Sequence, residues 1–331
     1  MSTTSKSKTM IEGPLAKQIL LVSLPLALSN LLQILFNMSD VAVVGRFAGS
    51  TALGSVGSTA TFVTLFTGFL IGLSNGVNVL VARFYGAGHP KDVSKTVHSA
   101  LLVSLAAGVL LLFVGLFGSP ALLELLNTKE DLLPGAILYL RVYFLGMPAL
   151  ALYNFGNAVF SAIGETKKPL AYLSFAGVLN ILLNLFFVIV CKLDVAGVAL
   201  ASTIAQCVSA GLILHALTKV SDCYALDFKA VKLDPAMTKS ILALGLPAGF
   251  AGAIGLVCVF CGATNALIPS ILLGFELFGG QGLELIALGC GVCYMLSGHY
   301  GLYSSQTFVT NKLRPEYASH KWRVKLKKKE E

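Results

Sequence analysis

The feature that most constrains this chain is a series of apolar segments, each about 20 residues or longer, separated by short polar loops. Segments of that length match the roughly 30 Å hydrocarbon core of a bilayer. Only 12% of the 331 residues are charged, about half of the share that soluble domains carry. We therefore predict an all-α, polytopic membrane protein, because the short alternating segments of a transmembrane barrel are absent. The first six predicted spans lie at about residues 15–39, 51–82, 95–118, 132–158, 169–191 and 195–217.

The basic residues indicate how these spans are oriented. Twelve Lys and Arg residues lie in the N-terminal segment and in the loops after the second, fourth and sixth spans, whereas the opposite loops contain only Arg46, Lys129 and Lys192. Because cytoplasmic loops collect positive charge, we predict that the N-terminus is cytoplasmic. The net charge of +8 is thereby explained as a feature of membrane topology, and we expect no nucleic-acid partner.

A short repeat predicts a second, related half. The segment at residues 17–29 (KQILLVSLPLALS) resembles the one at 239–251 (KSILALGLPAGFA), with a proline at the same place in each, Pro25 and Pro247. Transporters built from two related halves show this kind of internal similarity, and a chance match of leucine-rich text is the alternative. Beyond the repeat the apolar segments become short and rich in glycine, so we place a boundary near residues 249–253.

Asp40 is the residue that most directly suggests a function. It closes an almost entirely apolar run in which Gln33 and Asn37 precede it at helical intervals. An ionised carboxylate is costly inside a membrane, so it has to be neutralised by a proton, a cation or a partner residue. Burial favours its protonated form and a nearby cation favours its charged form. The alternative is a solvated aspartate at the end of the helix.

Three further features of the spans carry predictions. Asn180 and Asn184 lie four residues apart and so share one helix face. Their oxygens suit a cation such as Na⁺ and their NH₂ groups can donate to a carboxylate, although structural bonding between helices is an open alternative. Pro25 removes a hydrogen bond in mid-helix, which predicts either a fixed bend or a hinge. The glycine series at 68, 72 and 76 predicts a close approach of two helices.

Catalytic and metal chemistry find no support in the motifs. No nucleophile arrangement or phosphate-binding glycine loop occurs, so we expect neither an enzyme nor a cofactor. Two C-x-x-C pairs, at residues 258–261 and 290–293, lie in apolar, glycine-rich text without the turn residues of a zinc site. We interpret these cysteines as helix-packing residues rather than metal ligands.

Several motifs in order resemble the MATE (multidrug and toxin extrusion) family. They include LVSLPLALSNLLQILFNMSDVAVVGRFAG, ARFYGAGHPKDV, LNILLNLFFVIV and VAGVALASTIAQ. The resemblance covers residues 14 to about 250 and implies a first lobe of six helices in a bacterial cell membrane. It also implies export of small organic cations in exchange for Na⁺ or H⁺. The ion-coupling residues that it implies are Asp40, Asn180 and Asn184, with Tyr139 and Thr203 as further members.

The segment from about residue 253 to 318 instead resembles the C-terminal helices of CLC chloride channels, in which Tyr303 would contact an anion. We therefore predict a MATE-type lobe with a partial second lobe replaced by short, broken, CLC-like helices. The expected divisions are an N-terminal tail (1–13), the lobe (14–217), a cytoplasmic loop (218–237), the start of a seventh helix (238–252), the CLC-like helices (253–314) and a basic tail (315–331).

The expected function is cation-coupled export of organic cations, with the lipid bilayer as the environment. A single lobe has only one wall of a transport cavity, so a second copy or a partner half would be needed to complete it. Two alternatives remain open at this point. The chain is a membrane fragment that does not transport, or it provides a chloride pathway through Tyr303.

Overall fold

A computed structural model describes residues 15–125, 128–264, 268, 270–272 and 283–296. The chain divides into two compact units, Met1–Gly249 and Phe250–Glu331. Within the described residues every regular element is a helix, which confirms the all-α prediction. The elements are α1 (Leu15–Phe47), α2 (Ser50–Gly86), α3 (Pro90–Leu125), α4 (Leu133–Phe144), α5 (Met147–Ala162), α6 (Lys167–Leu185), a π-helical turn (Phe186–Val190), α7 (Asp194–Thr218), α8 (Pro235–Thr264) and α9 (Leu283–Leu296).

Several helices of the first unit have the length and apolar character of membrane spans. In the described part of the chain, four helical segments are long enough and apolar enough to cross a membrane: α2, α3, α7, and α6 together with its π-helical turn. The successive helices α4 and α5 satisfy these two conditions together. The prediction of a polytopic membrane protein is therefore confirmed.

The first helix is longer than the sequence predicts. Its predicted end was near residue 39, but α1 continues to Phe47, where Gly49 with φ of 90° starts the turn into α2. Only glycine adopts that backbone conformation at low cost. Asp40 consequently lies about two turns inside the helix, and the prediction that it sits at a helix end is wrong.

The fourth predicted span is broken in the structure. Helices α4 and α5 are separated by Leu145 and Gly146 and are bent by 47° relative to each other. Pro148 lies in the first turn of α5, where it has no N–H to donate to the carbonyl of Phe144 and where its ring would clash with a continuing helix. The break follows from the Gly-Met-Pro sequence at residues 146–148.

Glycines bring α2 and α8 into close contact within the first unit. A Cβ atom added to Gly72 would lie 2.4 Å from Gly249 Cα, and one added to Gly76 would lie 2.6 Å from Gly245 N. Backbones approach this closely only where both helices carry small residues. The predicted approach is thus present at Gly72 and Gly76. It is absent at Gly68, where an added Cβ would meet nothing within 4 Å.

Two apolar clusters fill the core of the first unit. One lies around Phe62, Phe144 and Val198, and the other lies around Val97, Phe160 and Ile213. In the second unit the described residues include the end of α8 and helix α9, in which Ile286 and Cys290 are buried. Tyr303 and most of the predicted CLC-like helices lie outside the described residues.

Candidate functional site

Asp40 is completely buried in the structure. Its side chain has 0% relative exposure, although it belongs to α1, which has exposed apolar residues such as Leu35 and Met38. The carboxylate faces residues of α4, α6 and α7. A solvated aspartate at a helix end, the alternative that the sequence leaves open, is contradicted by this burial.

Three side chains donate hydrogen bonds to the Asp40 carboxylate. The Tyr139 hydroxyl lies 3.0 Å from Oδ2 and the Ser202 hydroxyl lies 2.9 Å from the same oxygen. The Asn184 amide nitrogen Nδ2 lies 2.9 Å from Oδ1. A buried carboxylate needs such donors, because an unsatisfied one has lost its hydration without compensation.

Asn180 closes these contacts into a ring. Its Oδ1 accepts a hydrogen bond of 3.3 Å from Asn184 Nδ2, and its own Nδ2 donates to Ser202 Oγ at 2.9 Å. Asn180, Asn184 and Asp40 are each 0% exposed. We call Asp40, Tyr139, Asn180, Asn184 and Ser202 the carboxylate ring. Tyr139, Asn184 and Ser202 donate directly to Asp40, and Asn180 donates to Ser202.

The ring contains a negative charge and no positive one. The ion pairs of the described residues join His89 to Asp92, Lys95 to Asp234 and Lys168 to Glu165, and none of them involves Asp40. Every donor to Asp40 is a neutral hydroxyl or amide. In addition, Asn184 Oδ1 is buried and has no hydrogen-bond partner. The site therefore combines a carboxylate that has no ion-pair partner among the described residues with an amide oxygen that has no hydrogen-bond partner.

A small cavity adjoins the carboxylate ring. It has a volume of about 30 Å³, and Ser202 lines both the cavity and the ring. Gln33 and Gln206 line the cavity as well, and the Oε1 atom of each is buried without a hydrogen-bond partner. Tyr143 and Tyr153 provide aromatic walls. Polar acceptors thus continue from the carboxylate into the interior of the bundle.

Gln206 also lies at the break between α4 and α5. A Cβ atom added to Gly146 would fall 2.1 Å from Gln206 Oε1, so the glutamine carboxamide occupies the space that a side chain at residue 146 would take. Discontinuous helices at polar sites are a recurring feature of membrane transporters.

The structure brings together four of the predicted site residues, Asp40 and three of its predicted partners. Tyr139, Asn180 and Asn184 contact or adjoin Asp40 as predicted. Thr203 does not, because its hydroxyl donates to the carbonyls of Val142 and Ala199, each at 2.9 Å. Among the described contacts it is Ser202, the neighbour of Thr203, that donates to the Asp40 carboxylate.

Two of the other predicted residues are described by the structure and lie outside the carboxylate ring. Gln33 lines the adjoining cavity rather than the ring. Pro25 lies inside α1, which continues through it, and its carbonyl accepts a hydrogen bond of 3.0 Å from the Ser29 hydroxyl. The side chain of Asn37 and the whole of Tyr303 lie outside the described residues.

The comparisons with known proteins agree with this architecture. Residues 25–186 match the MatE family model. These residues form a MATE family domain. The chain is 31% identical over 246 residues to the probable multidrug resistance protein YpnP of Bacillus subtilis, an alignment that covers 74% of this chain and 54% of the relative. The structure superposes on a MATE transporter crystallised in a bent conformation with a TM-score of 0.73, at 22% identity, over 89% of this chain and 67% of the other.

The chain spans about half the length of the first of these curated relatives. A third comparison bears on the C-terminal part. The multidrug export protein MepA of Staphylococcus aureus is 26% identical over 292 residues, covering 84% of this chain and 62% of the relative. Because 84% of 331 residues is about 278, this alignment extends past residue 252. The comparisons give no support to the predicted CLC-like segment.

Proposed function

We propose that this chain provides the ion-coupling lobe of an exporter of organic cations, and that Asp40 binds the coupling ion, H⁺ or Na⁺. The observation that carries the proposal is the fully buried Asp40 carboxylate, which accepts three hydrogen bonds from neutral groups and forms no ion pair with a described residue. A charge in that position is stable only when a mobile cation or a proton accompanies it.

The chemistry of the carboxylate ring supports either coupling ion. The oxygens of Asp40, Ser202 and Asn180 lie within one hydrogen-bonded set, and Asn184 Oδ1 is free beside it. Such oxygens suit a hard cation. A proton on Asp40 would equally remove the charge, and the unpartnered Asn184 Oδ1 could accept the hydrogen bond of the resulting carboxylic acid.

Coupling to a conformational change follows from where the ring residues lie. Asp40 is on α1, whereas its partners are on α4, α6 and α7. Binding a cation or a proton weakens the hydrogen bonds that the charged carboxylate accepts, so α1 is held less firmly against the other three helices. Pro25 interrupts the hydrogen bonds of the same helix and gives it a point at which to bend. In this proposal, ion occupancy at Asp40 sets the shape of α1.

Transport by this lobe requires a second wall for the cavity. We propose that a second copy of the lobe or a partner half provides that wall. The relatives named as multidrug resistance or export proteins support small organic compounds as the exported class.

Reconstitution into proteoliposomes tests the proposal. Vesicles are loaded with a fluorescent organic cation, an inward Na⁺ or H⁺ gradient is imposed, and efflux is recorded. We expect gradient-driven efflux with the wild-type chain and none above background with Asp40→Asn, which keeps the size of the side chain and removes its charge. Asp131→Asn, at an exposed loop aspartate, is the matched control and should retain efflux. Efflux that persists in Asp40→Asn would contradict the proposal.

A further inference from the structure

The connection between α7 and α8 is held against the ends of other helices by specific contacts. In this segment, residues 219–234, Tyr224 and Leu226 are buried at 6% and 3% exposure. The Tyr224 ring packs edge-on against Tyr85 of α2 and Phe160 of α5, with ring centroids 6.3 Å apart in both cases. We call residues 219–234 the strap, because they cross from α7 over α2, α3 and α5 to the start of α8.

His98 of α3 forms a hydrogen bond to the backbone of the strap. The histidine is 6% exposed. Its Nδ1 lies 2.7 Å from the carbonyl oxygen of Ser94, one turn earlier in the same helix, and its Nε2 lies 3.2 Å from the backbone nitrogen of Asp227 in the strap.

These two partners fix the protonation state of the ring. A carbonyl oxygen can only accept, so His98 Nδ1 must carry a hydrogen. A backbone N–H can only donate, so His98 Nε2 must be the unprotonated acceptor. The contacts are therefore compatible with the neutral Nδ1–H tautomer and incompatible with the imidazolium, in which both nitrogens are donors.

We propose that His98 is a pH-sensitive latch that holds the strap on α3 when it is neutral and releases it when it is protonated. Histidine is the side chain that ordinarily changes charge between about pH 5 and pH 8. Protonation of Nε2 replaces an attractive N–H···N contact with two facing donors, and the imidazolium would be buried without an acceptor at that position. The strap is then bound less tightly in acid. This inference does not depend on the function proposed for Asp40.

Several charged groups of the strap and of the helices packed against it make contacts that do not involve His98. On the strap, the Asp227 carboxylate accepts from the Lys229 backbone N–H at 2.9 Å, and Asp234 lies 3.9 Å from Lys95 Nζ of α3. Three further pairs lie on the same segments. Asp222 of the strap contacts Tyr85 of α2 at 3.5 Å, Glu165 after α5 pairs with Lys168 of α6, and His89 pairs with Asp92 at the exposed start of α3. None of these described contacts is made to the His98 ring.

The strap connects the latch directly to the start of α8. The Asp234 backbone N–H donates to Ser99 Oγ, the neighbour of His98, at 3.0 Å. Asp234 in turn caps α8, because its Oδ1 accepts hydrogen bonds from the backbone N–H groups of Ala236 and Met237 at 3.0 and 3.2 Å. Release of the whole strap from α3 would therefore also remove the Ser99 contact of the residue that caps α8.

Hydrogen–deuterium exchange of the full-length protein in detergent tests the latch. Peptides covering residues 220–234 are followed at about pH 7.5 and pH 5.5, and each rate is divided by the intrinsic rate of the unfolded peptide at the same pH. We expect protection of the strap to fall about fivefold to tenfold in acid, which corresponds to the loss of one net hydrogen bond. Peptides from the interior of α7 should keep their protection at both values. Equal protection of the wild-type strap at the two pH values would overturn the proposal, whatever any variant does.

Two histidine variants assign the response. His98→Ala should show low protection of the strap that does not depend on pH. His89→Ala, at a mostly exposed histidine directly before α3, is the matched control and should keep the wild-type response. A pH response that survives in His98→Ala, or that disappears in His89→Ala, would contradict the assignment to His98. A variant that fails to fold leaves the wild-type comparison as the deciding test.

Discussion

The amide nitrogen of Asn184 lies 2.9 Å from Oδ1 of Asp40, although the two residues are 144 positions apart in the chain. The contact joins α6 to α1 in the interior of the bundle. Asn184 uses its second amide hydrogen for Asn180 Oδ1, so one side chain both satisfies the carboxylate and holds its neighbour in place. The site is thus formed by the tertiary fold.

Substitution of Asn184 should alter cation binding as well as stability. Asn184→Ala leaves an oxygen of Asp40 and one of Asn180 without a donor, which should destabilise the protein by about 1–3 kcal/mol. If Asp40 binds Na⁺, added Na⁺ raises the melting temperature of the wild type, and this increase should be reduced in the variant. Thermal unfolding with and without Na⁺ measures both effects.

Asn154 provides the control for this experiment. It is a buried asparagine whose Nδ2 donates only to the Leu150 carbonyl of its own helix among the described contacts. Asn154→Ala should lower stability and leave the shift caused by Na⁺ unchanged. The same loss of the Na⁺ shift in both variants would mean that the effect is not specific to the carboxylate ring.

Ser202 and Thr203 should differ sharply despite being neighbours with the same functional group. Ser202→Ala removes a donor to Asp40 Oδ2 and the acceptor for Asn180, so gradient-driven efflux should fall strongly. Thr203→Ala removes hydrogen bonds to the carbonyls of Val142 and Ala199 and should cost only about 1 kcal/mol of stability. Efflux from proteoliposomes, normalised to the amount of reconstituted protein, compares the two. Equal efflux would remove Ser202 from the site.

The contact between α2 and α8 should tolerate no side chain at Gly72. Gly72→Ala places a Cβ atom 2.4 Å from Gly249 Cα. Because that neighbour is backbone, the helices must separate, and we expect destabilisation of about 1–3 kcal/mol or more. Gly68→Ala, on the same helix with open space around it, should be neutral or stabilising by up to about 1 kcal/mol through helix propensity. Melting temperatures in detergent distinguish the two, and equal values would contradict the close contact.

The predicted orientation is testable with cysteine labelling. Cys191 is exposed in the turn before α7, on the side predicted to face outward. In intact cells, a membrane-impermeant maleimide should label a variant that retains only Cys191. It should not label a cysteine-free variant carrying Lys219→Cys in the strap until the cells are permeabilised. The reverse pattern would invert the orientation.

The native strap cysteine should react slowly even in permeabilised cells. Burial, followed by the charge of Asp222, raises the pKa of the Cys223 thiol to about 11. The reactive thiolate is therefore scarce at neutral pH, and its fraction should increase about tenfold for each pH unit below that value. Labelling of Cys223 measured between pH 7 and pH 9 should rise accordingly, and a rate that does not change with pH would contradict the raised pKa.

The helix positions could be read from the sequence because each span is a long apolar run that nothing but a membrane helix explains. Such inference fails where residue composition does not distinguish a helix from a loop or from a break in a helix. Residues 40–47 continue α1 to Phe47, but Asp40 and Arg46 gave that stretch the composition of a loop. The break between α4 and α5 had a visible cause in Gly146 and Pro148, which the apolar composition of the span concealed.

The sequence could predict a site residue only where its type and spacing assign it to one face of a helix. Asn180 and Asn184 are amide side chains in an otherwise apolar segment, and their spacing of four residues places them on one face of the helix. Ser202 and Thr203 differ by only about 100° around α7, and both hydroxyls can bond within their own helix, so the sequence could not choose between them. Gln206 follows Ser202 by four residues, a spacing that would have indicated the polar face of α7 once Ser202 had been chosen.

The most direct test of the account is binding of the coupling ion to the purified protein. Binding of radioactive Na⁺ and, separately, proton uptake on acidification of a weakly buffered solution are measured for the wild type, Asp40→Asn and Asp131→Asn. We predict that the wild type and Asp131→Asn take up about one Na⁺ or one additional proton per chain relative to Asp40→Asn. This uptake should occur at the Na⁺ concentrations or the pH values at which the coupling gradient drives efflux. Equal uptake of both ions by Asp40→Asn and the wild type would show that the buried carboxylate is not the coupling site.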